Sequence, residues 1–137
     1  MTAHAQGELR ITSWQETRTE TLADGGRFVQ VRIEEEFSGD ISGVSWWDDL
    51  LYYRSDETAA FVTAGQISGE LQGRKGSFIV TTTGTFDGET VRSQLTIVPR
   101  SGTGELRGIS GAGAMTTRLG QPGNYSLDYT LDSSADG

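Results

Sequence analysis

The sequence predicts an all-β protein, a closed antiparallel barrel of eight strands joined in up-and-down order. Three observations carry that reading. Short segments of period two recur along the whole chain, separated by Gly, Asp or Ser turns. No stretch of ten or more residues has helical periodicity. A pattern of Gly, acid, Ile or Leu, any residue, Gly returns three times, at 39–43, 69–73 and 104–108.

Taken in order, the first strand spans 7–16, and the residues before it read as a frayed segment. The second, 27–38, alternates cleanly, with Val29, Val31 and Ile33 on one face and polar residues between them. The third, 44–54, contains Trp46-Trp47-Asp48-Asp49-Leu50-Leu51-Tyr52-Tyr53, so both of its faces carry Trp, acid, aliphatic and Tyr. Both sides should therefore be largely covered. The fourth and fifth strands are 58–68 and 77–86. The sixth, 90–99, stops at Pro99, which has no N–H for a ladder. The seventh is 106–116, and the eighth, 124–131, alternates through Tyr125, Leu127, Tyr129 and Leu131. The three repeats then follow strands two, four and six, which places them at one end of a meander. Their glycines permit tight or positive-φ turns, and Ile41, Leu71 and Leu106 can tuck inward as a plug. That end is expected to be closed. The loops 17–26, 55–57, 87–89 and 117–123 frame the other end as a mouth, where small barrels admit ligands. Eight strands enclose a lumen that is filled by side chains or holds one small molecule. A single domain is expected over 1–137, with the barrel over about 7–131 and short flexible termini.

Composition narrows the function. Nineteen acidic against eleven basic residues give a net charge of -8. Such a field repels phosphate backbones and anionic lipid surfaces, so neither nucleic acid nor a membrane is an expected partner. Cysteine is absent, which excludes disulfides, thiol nucleophiles and thiolate metal sites together. The N-terminal residues lack a basic region followed by an apolar run, and no 18-residue apolar stretch exists. The expected location is cytoplasmic. The only histidine, His4, lies in the segment read as frayed, so neither a Ser–His–Asp triad nor a His-based metal site is expected. The glycine-rich stretch 102–113 lacks the Lys-Ser/Thr of a phosphate loop. No metal or cofactor is called for.

Phe37-Ser38-Gly39-Asp40, Gly73-Arg74-Lys75-Gly76-Ser77-Phe78 and Thr83-Gly84-Thr85-Phe86-Asp87-Gly88 form an ordered set of motifs. Val98-Pro99, Gly102-Thr103-Gly104-Glu105-Leu106 and Tyr125-Ser126-Leu127-Asp128-Tyr129 extend it over nearly the whole chain. This set resembles the bacterial domain-of-unknown-function family numbered three-two-two-four, whose members are similar to allene oxide cyclase barrels of the lipocalin-like, or calycin-like, class. The resemblance implies eight antiparallel strands around a pocket, in a homodimer or higher oligomer. It implies little chemistry, because one fold hosts unrelated functions. The chain departs from the family pattern at Gly65 and Thr82, where members often carry Glu and His, and at Glu35, where a basic residue is frequent. With the added Trp46-Trp47 pair, these departures read as specialisation for a particular ligand.

The candidate site is built from carboxylates, aromatics and hydroxyls. Glu35 shares the parity of Val29, Val31, Ile33 and Phe37 and is expected to face the lumen, where lost hydration raises its pKa. The alternative is a twist or bulge that leaves it solvated beside Glu34 and Glu36. Parity leaves the facing of strand three open; the family's acidic and aliphatic positions favour Trp46, Asp48, Leu50 and Tyr52 inside. Glu35 and Asp48 would then form a carboxylate pair, one member holding a proton near neutrality, and serve as catalytic acid and base. Trp46, Phe61, Phe78, Phe86, Tyr125 and Tyr129 would wall the substrate, with Tyr52, Tyr129 and Thr82 directing hydrogen bonds. The expected function is a cofactor-independent cyclase or isomerase acting on a hydrophobic oxygenated molecule. A polyketide intermediate of secondary metabolism or antibiotic biosynthesis closing to a spiroketal is one instance. The alternative is a lipocalin-like carrier that holds a hydrophobic small molecule unchanged, and a third reading is an oligomeric scaffold with a sealed lumen.

Overall fold

In the computed structural model, which describes residues 2–131, eight strands close into one antiparallel barrel in sequence order. The strands are β1 (Ala3–Thr21), β2 (Arg27–Gly39), β3 (Ile41–Tyr53), β4 (Ala59–Leu71), β5 (Arg74–Phe86), β6 (Thr90–Ile97), β7 (Ile109–Arg118) and β8 (Gly123–Leu131). A short 3-10 turn, Gly104–Leu106, lies between β6 and β7. Every strand pairs with its sequence neighbour, and β1 closes on β8 from Ala3 opposite Tyr129 to Leu9 opposite Gly123. Closure leaves no strand edge unpaired along that seam.

Both ends of β1 differ from the sequence expectation for a physical reason, and β7 begins at Ile109 rather than Leu106, which lies in the 3-10 turn. The segment read as frayed is the start of β1, because residues 3–9 complete the ladder with β8. His4 is therefore a strand residue, and its Nδ1 lies 2.8 Å from the exposed Asp128 carboxylate. At its other end β1 runs on to Thr21, which narrows the first mouth loop to 22–26. Two register shifts, at Ile11/Ser13 and Glu16/Arg18, let this strand of 19 residues follow a partner of 13. The expected flexible tail beyond Leu131 lies outside the described residues.

The floor of the barrel is closed as the repeats predict. Ile41, Leu71 and Leu106, one from each repeat, are all buried in the core. Each such side chain contributes roughly 1.5–3 kcal/mol through apolar burial. Tyr125 ties the floor together: its hydroxyl accepts the Ile41 N–H at 2.8 Å and donates to the Ser38 carbonyl at 2.7 Å. The ring of Phe37 packs against it at 5.2 Å. Tyr129 donates to the Gln72 side chain, whose amide in turn donates to the His4 carbonyl at 3.1 Å. The opposite end, bounded by the turns after β1, β3, β5 and β7, stays open.

Candidate active site

Above the plugged floor the lumen holds a cavity of about 220 Å³. Its walls are mainly apolar and aromatic, with Leu9, Ile33, Trp47, Leu51, Phe61, Phe86, Val91 and Met115 among them. Ile11, Trp14 and Leu119 also line it, and all three are exposed at its rim. The polar groups that face it are Glu35, Asp49, Tyr53, Thr63, Thr82, Ser93 and Thr117.

Glu35 takes the inward position that its parity with Val29, Val31 and Ile33 predicts. Its Oε1 accepts the indole N–H of Trp47 at 2.7 Å. Burial pushes the Glu35 carboxyl up to about 7, against the opposing pull of the Trp47 N–H and, more weakly, of Ser45. The Ser45 hydroxyl, opposite Glu35 in register, is buried without a well-formed hydrogen bond, so the indole is the bond that orients this carboxyl.

The second lumen carboxyl is Asp49, not the expected Asp48. All of strand three is turned the other way from the family-guided expectation: Ser45, Trp47, Asp49, Leu51 and Tyr53 face inward. Trp46, Asp48, Leu50 and Tyr52 therefore lie on the outer wall. There Asp48 accepts from Arg32 at 3.2 Å, and the Arg32 guanidinium stacks over Trp46 at 4.4 Å. The Trp46 N–H donates to Gln66 at 3.2 Å, Arg54 lies 5.9 Å from the Tyr52 ring, and Leu50 is exposed. The correction has a local cause. Ile41 is drawn into the floor, and period two carries its inward parity to 43, 45, 47, 49, 51 and 53. That signal is in the sequence, in the repeat that ends strand two.

Asp49 is 6% exposed, and its Oδ1 is buried without a hydrogen-bond partner. Burial pushes this carboxyl up to about 7, helped by the negative charges of Glu35 and then Asp48. Asp49 stands opposite Thr63 on β4, and Thr63 stands opposite Thr82 on β5. The two threonine hydroxyls bond to each other, so a polar row crosses three strands in an otherwise apolar chamber.

Of the other expected residues, Phe61, Phe86 and Thr82 line the cavity. Phe78, Tyr125 and Tyr129 point inward but are buried below it, and both tyrosine hydroxyls are engaged with the floor. They hold the barrel shut rather than wall a ligand. Two glycines make the chamber's shape possible. A Cβ on Gly65 would lie 2.1 Å from the Trp46 carbonyl oxygen and 2.7 Å from the Trp47 ring, and one on Gly84 would lie 2.4 Å from the Phe61 ring. Trp14 reaches the cavity through the β1 irregularity: Leu9 and Ile11 face inward on odd positions, and after the shift at Ile11/Ser13 the inward position is even. No sequence signal marks that shift.

Among the described residues, no three His, Cys, Asp or Glu side chains are grouped so as to hold a metal ion. No helix among them is long and apolar enough to cross a membrane.

Fold and cavity together define an eight-stranded antiparallel barrel with a single-mouthed, carboxyl-bearing lumen. The chain belongs to the family described as Protein of unknown function (DUF3224), whose profile matches residues 5–129. A crystal structure of a protein of unknown function from that family, from Shewanella oneidensis MR-1, is similar at a TM-score of 0.82 and 24% identity. The match covers 96% of this chain and 99% of that one, and it shows the shared fold. No curated protein matches the sequence.

Proposed function

We propose that the protein is a cofactor-independent isomerase or cyclase that moves a proton on a small apolar molecule bound in the lumen. The observation that supports this reading is the pairing of Glu35 and Asp49 in one apolar cavity, each with its carboxyl brought to about 7 by burial. Two such groups interact, so near neutrality the pair holds one proton between two acidic sites. One carboxyl then donates to the atom that gains electron density, while the other accepts the proton that the substrate releases. Ring closure fits this division of labour. A hydroxyl adds to a carbonyl or unsaturated carbon, the acid protonates the acceptor, the base removes the hydroxyl proton, and no electrons are gained or lost overall. Spiroketal formation in a polyketide intermediate is a concrete instance: the first addition gives a hemiketal, whose hydroxyl the acid then protonates so that it leaves as water while a second hydroxyl adds and gives its proton to the base.

The walls supply the remaining rate. Holding the reacting atoms in near-attack geometry is worth up to about 7–11 kcal/mol in favourable intramolecular cases, and a positioned acid or base adds roughly 10²–10⁴-fold. Trp47 is a positioning residue in this scheme, since its N–H fixes the Glu35 carboxyl. The decisive experiment measures turnover in E35Q and D49N, with ligand affinity followed in parallel. We expect each variant to lose roughly 10²–10⁴-fold in kcat while the apolar ligand still binds. Unchanged turnover in both would remove the acid–base assignment. A ligand recovered chemically unaltered from wild-type protein would instead identify a carrier.

A further inference from the structure

The charge character of the chamber narrows what it accepts. Among the described residues that line it, none is Lys, Arg or His, and its only groups able to carry charge near neutrality are Glu35 and Asp49. Arg27 stacks on the Tyr53 ring at 4.2 Å, but it is engaged at the rim by Glu57 at 2.8 Å. Glu35 Oε1 is satisfied by Trp47. Asp49 Oδ1 is buried with no hydrogen-bond partner among the protein's groups, and a buried acceptor left unpaired costs free energy until a donor reaches it. The Thr63 and Thr82 hydroxyls bond to each other, and neither bonds to Asp49 Oδ1. What is missing is a donor, preferably a charged one. An ammonium presents three donors and no acceptor. Aromatic faces attract the same charge, and Trp47 and Phe61 stand on strands adjoining or including that of Asp49.

We infer that the lumen is a site for an apolar primary amine, with its ammonium against Asp49 and its hydrocarbon body among Trp47, Phe61 and Phe86. This rests on the reading of the cavity as a small-molecule site and names the substrate class for it. A bound cation holds Asp49 ionised and offsets the repulsion between the two carboxyls. Asp49 is then both the anchor and the ionised member of the pair, and Glu35 its protonated member, so the division into base and acid is kept. An anionic ligand of the same shape meets two carboxyls and no free cation in the chamber.

Three probes of matched size separate the possibilities: 2-phenylethylamine, 2-phenylethanol and 3-phenylpropionate, titrated calorimetrically into the full-length protein. We expect the amine to bind at least tenfold more tightly than the alcohol, and the carboxylate to bind more weakly than either. In D49N the affinity for the amine should fall to about that for the alcohol. Equal or tighter binding of the carboxylate would overturn the inference. Alcohol and amine of equal affinity in wild-type protein would also overturn it, while leaving the cavity as a ligand site. Failure of all three to bind at millimolar concentration would remove both the amine assignment and the small-molecule reading. The wild-type ranking alone decides the matter should D49N fail to fold.

Discussion

A carboxyl enclosed by protein keeps its proton until something bonds to its ionised form. Glu35 has one such bond, from Trp47, and Asp49 has none at Oδ1, yet burial dominates at both. Both groups bind a proton more tightly in the folded chain than in the unfolded one. Their stabilisation is therefore fully present below the ordinary carboxyl range and is lost as pH rises through about 7. At about 1.4 kcal/mol per pH unit, the loss is on the order of 3 kcal/mol for each carboxyl. Urea unfolding should show the wild-type protein less stable at pH 8 than at pH 5. E35Q and D49N should each flatten that dependence and raise stability at pH 8. His4 shifts in the same sense, held protonated by Asp128, so the difference between variant and wild type is the diagnostic quantity. Variants that parallel the wild-type curve would mean that neither carboxyl is desolvated.

At the scale of the element, β3 decides what the lumen can do, and it is also where the sequence is least legible. The doublets Trp-Trp, Asp-Asp, Leu-Leu and Tyr-Tyr give both faces the same character, so alternation alone carries no information about facing. On β2, Val29, Val31 and Ile33 alternate with polar residues, and their parity carried through Glu34-Glu35-Glu36 points Glu35 inward, with a twist or bulge as the open alternative. The eight strands, their order and the plugged end follow from features that repeat: period two and the glycine-flanked Ile41, Leu71 and Leu106. What escaped was a one-residue phase on β3, carried only by the inward Ile41 of the repeat before it, and a one-residue shift on β1, a local event that the sequence does not mark. Gly65 is the structural counterpart of the β3 phase, since it leaves space for the inward Trp47. Gly65→Ala should press on the Trp46 carbonyl as well as on that indole, and cost at least roughly 1–3 kcal/mol, the usual range for overpacking. The matched expectation is weaker indole quenching by Glu35 and a lower Tm. Wild-type fluorescence and stability in this variant would mean that Trp47 does not need the space.

The molecule as a whole depends on the β1–β8 seam, where residues near the two ends of the barrel meet. Every other pairing joins consecutive strands and forms without long-range search; this one closes a loop of more than a hundred residues. A chain lacking residues 2–8 should expose the β8 ladder and associate through it, giving species larger than those of the full chain in size-exclusion chromatography with light scattering. An unchanged size distribution and unchanged stability would show that the seam is dispensable. The plug formed by Ile41, Leu71 and Leu106 bears equally on traffic. A tube stoppered at one end has a single doorway, so whatever goes in must back out past Ile11, Trp14 and Leu119 before the next molecule arrives. Any product that keeps its substrate's greasiness would linger there, and its departure rather than the bond-making step would then set the tempo.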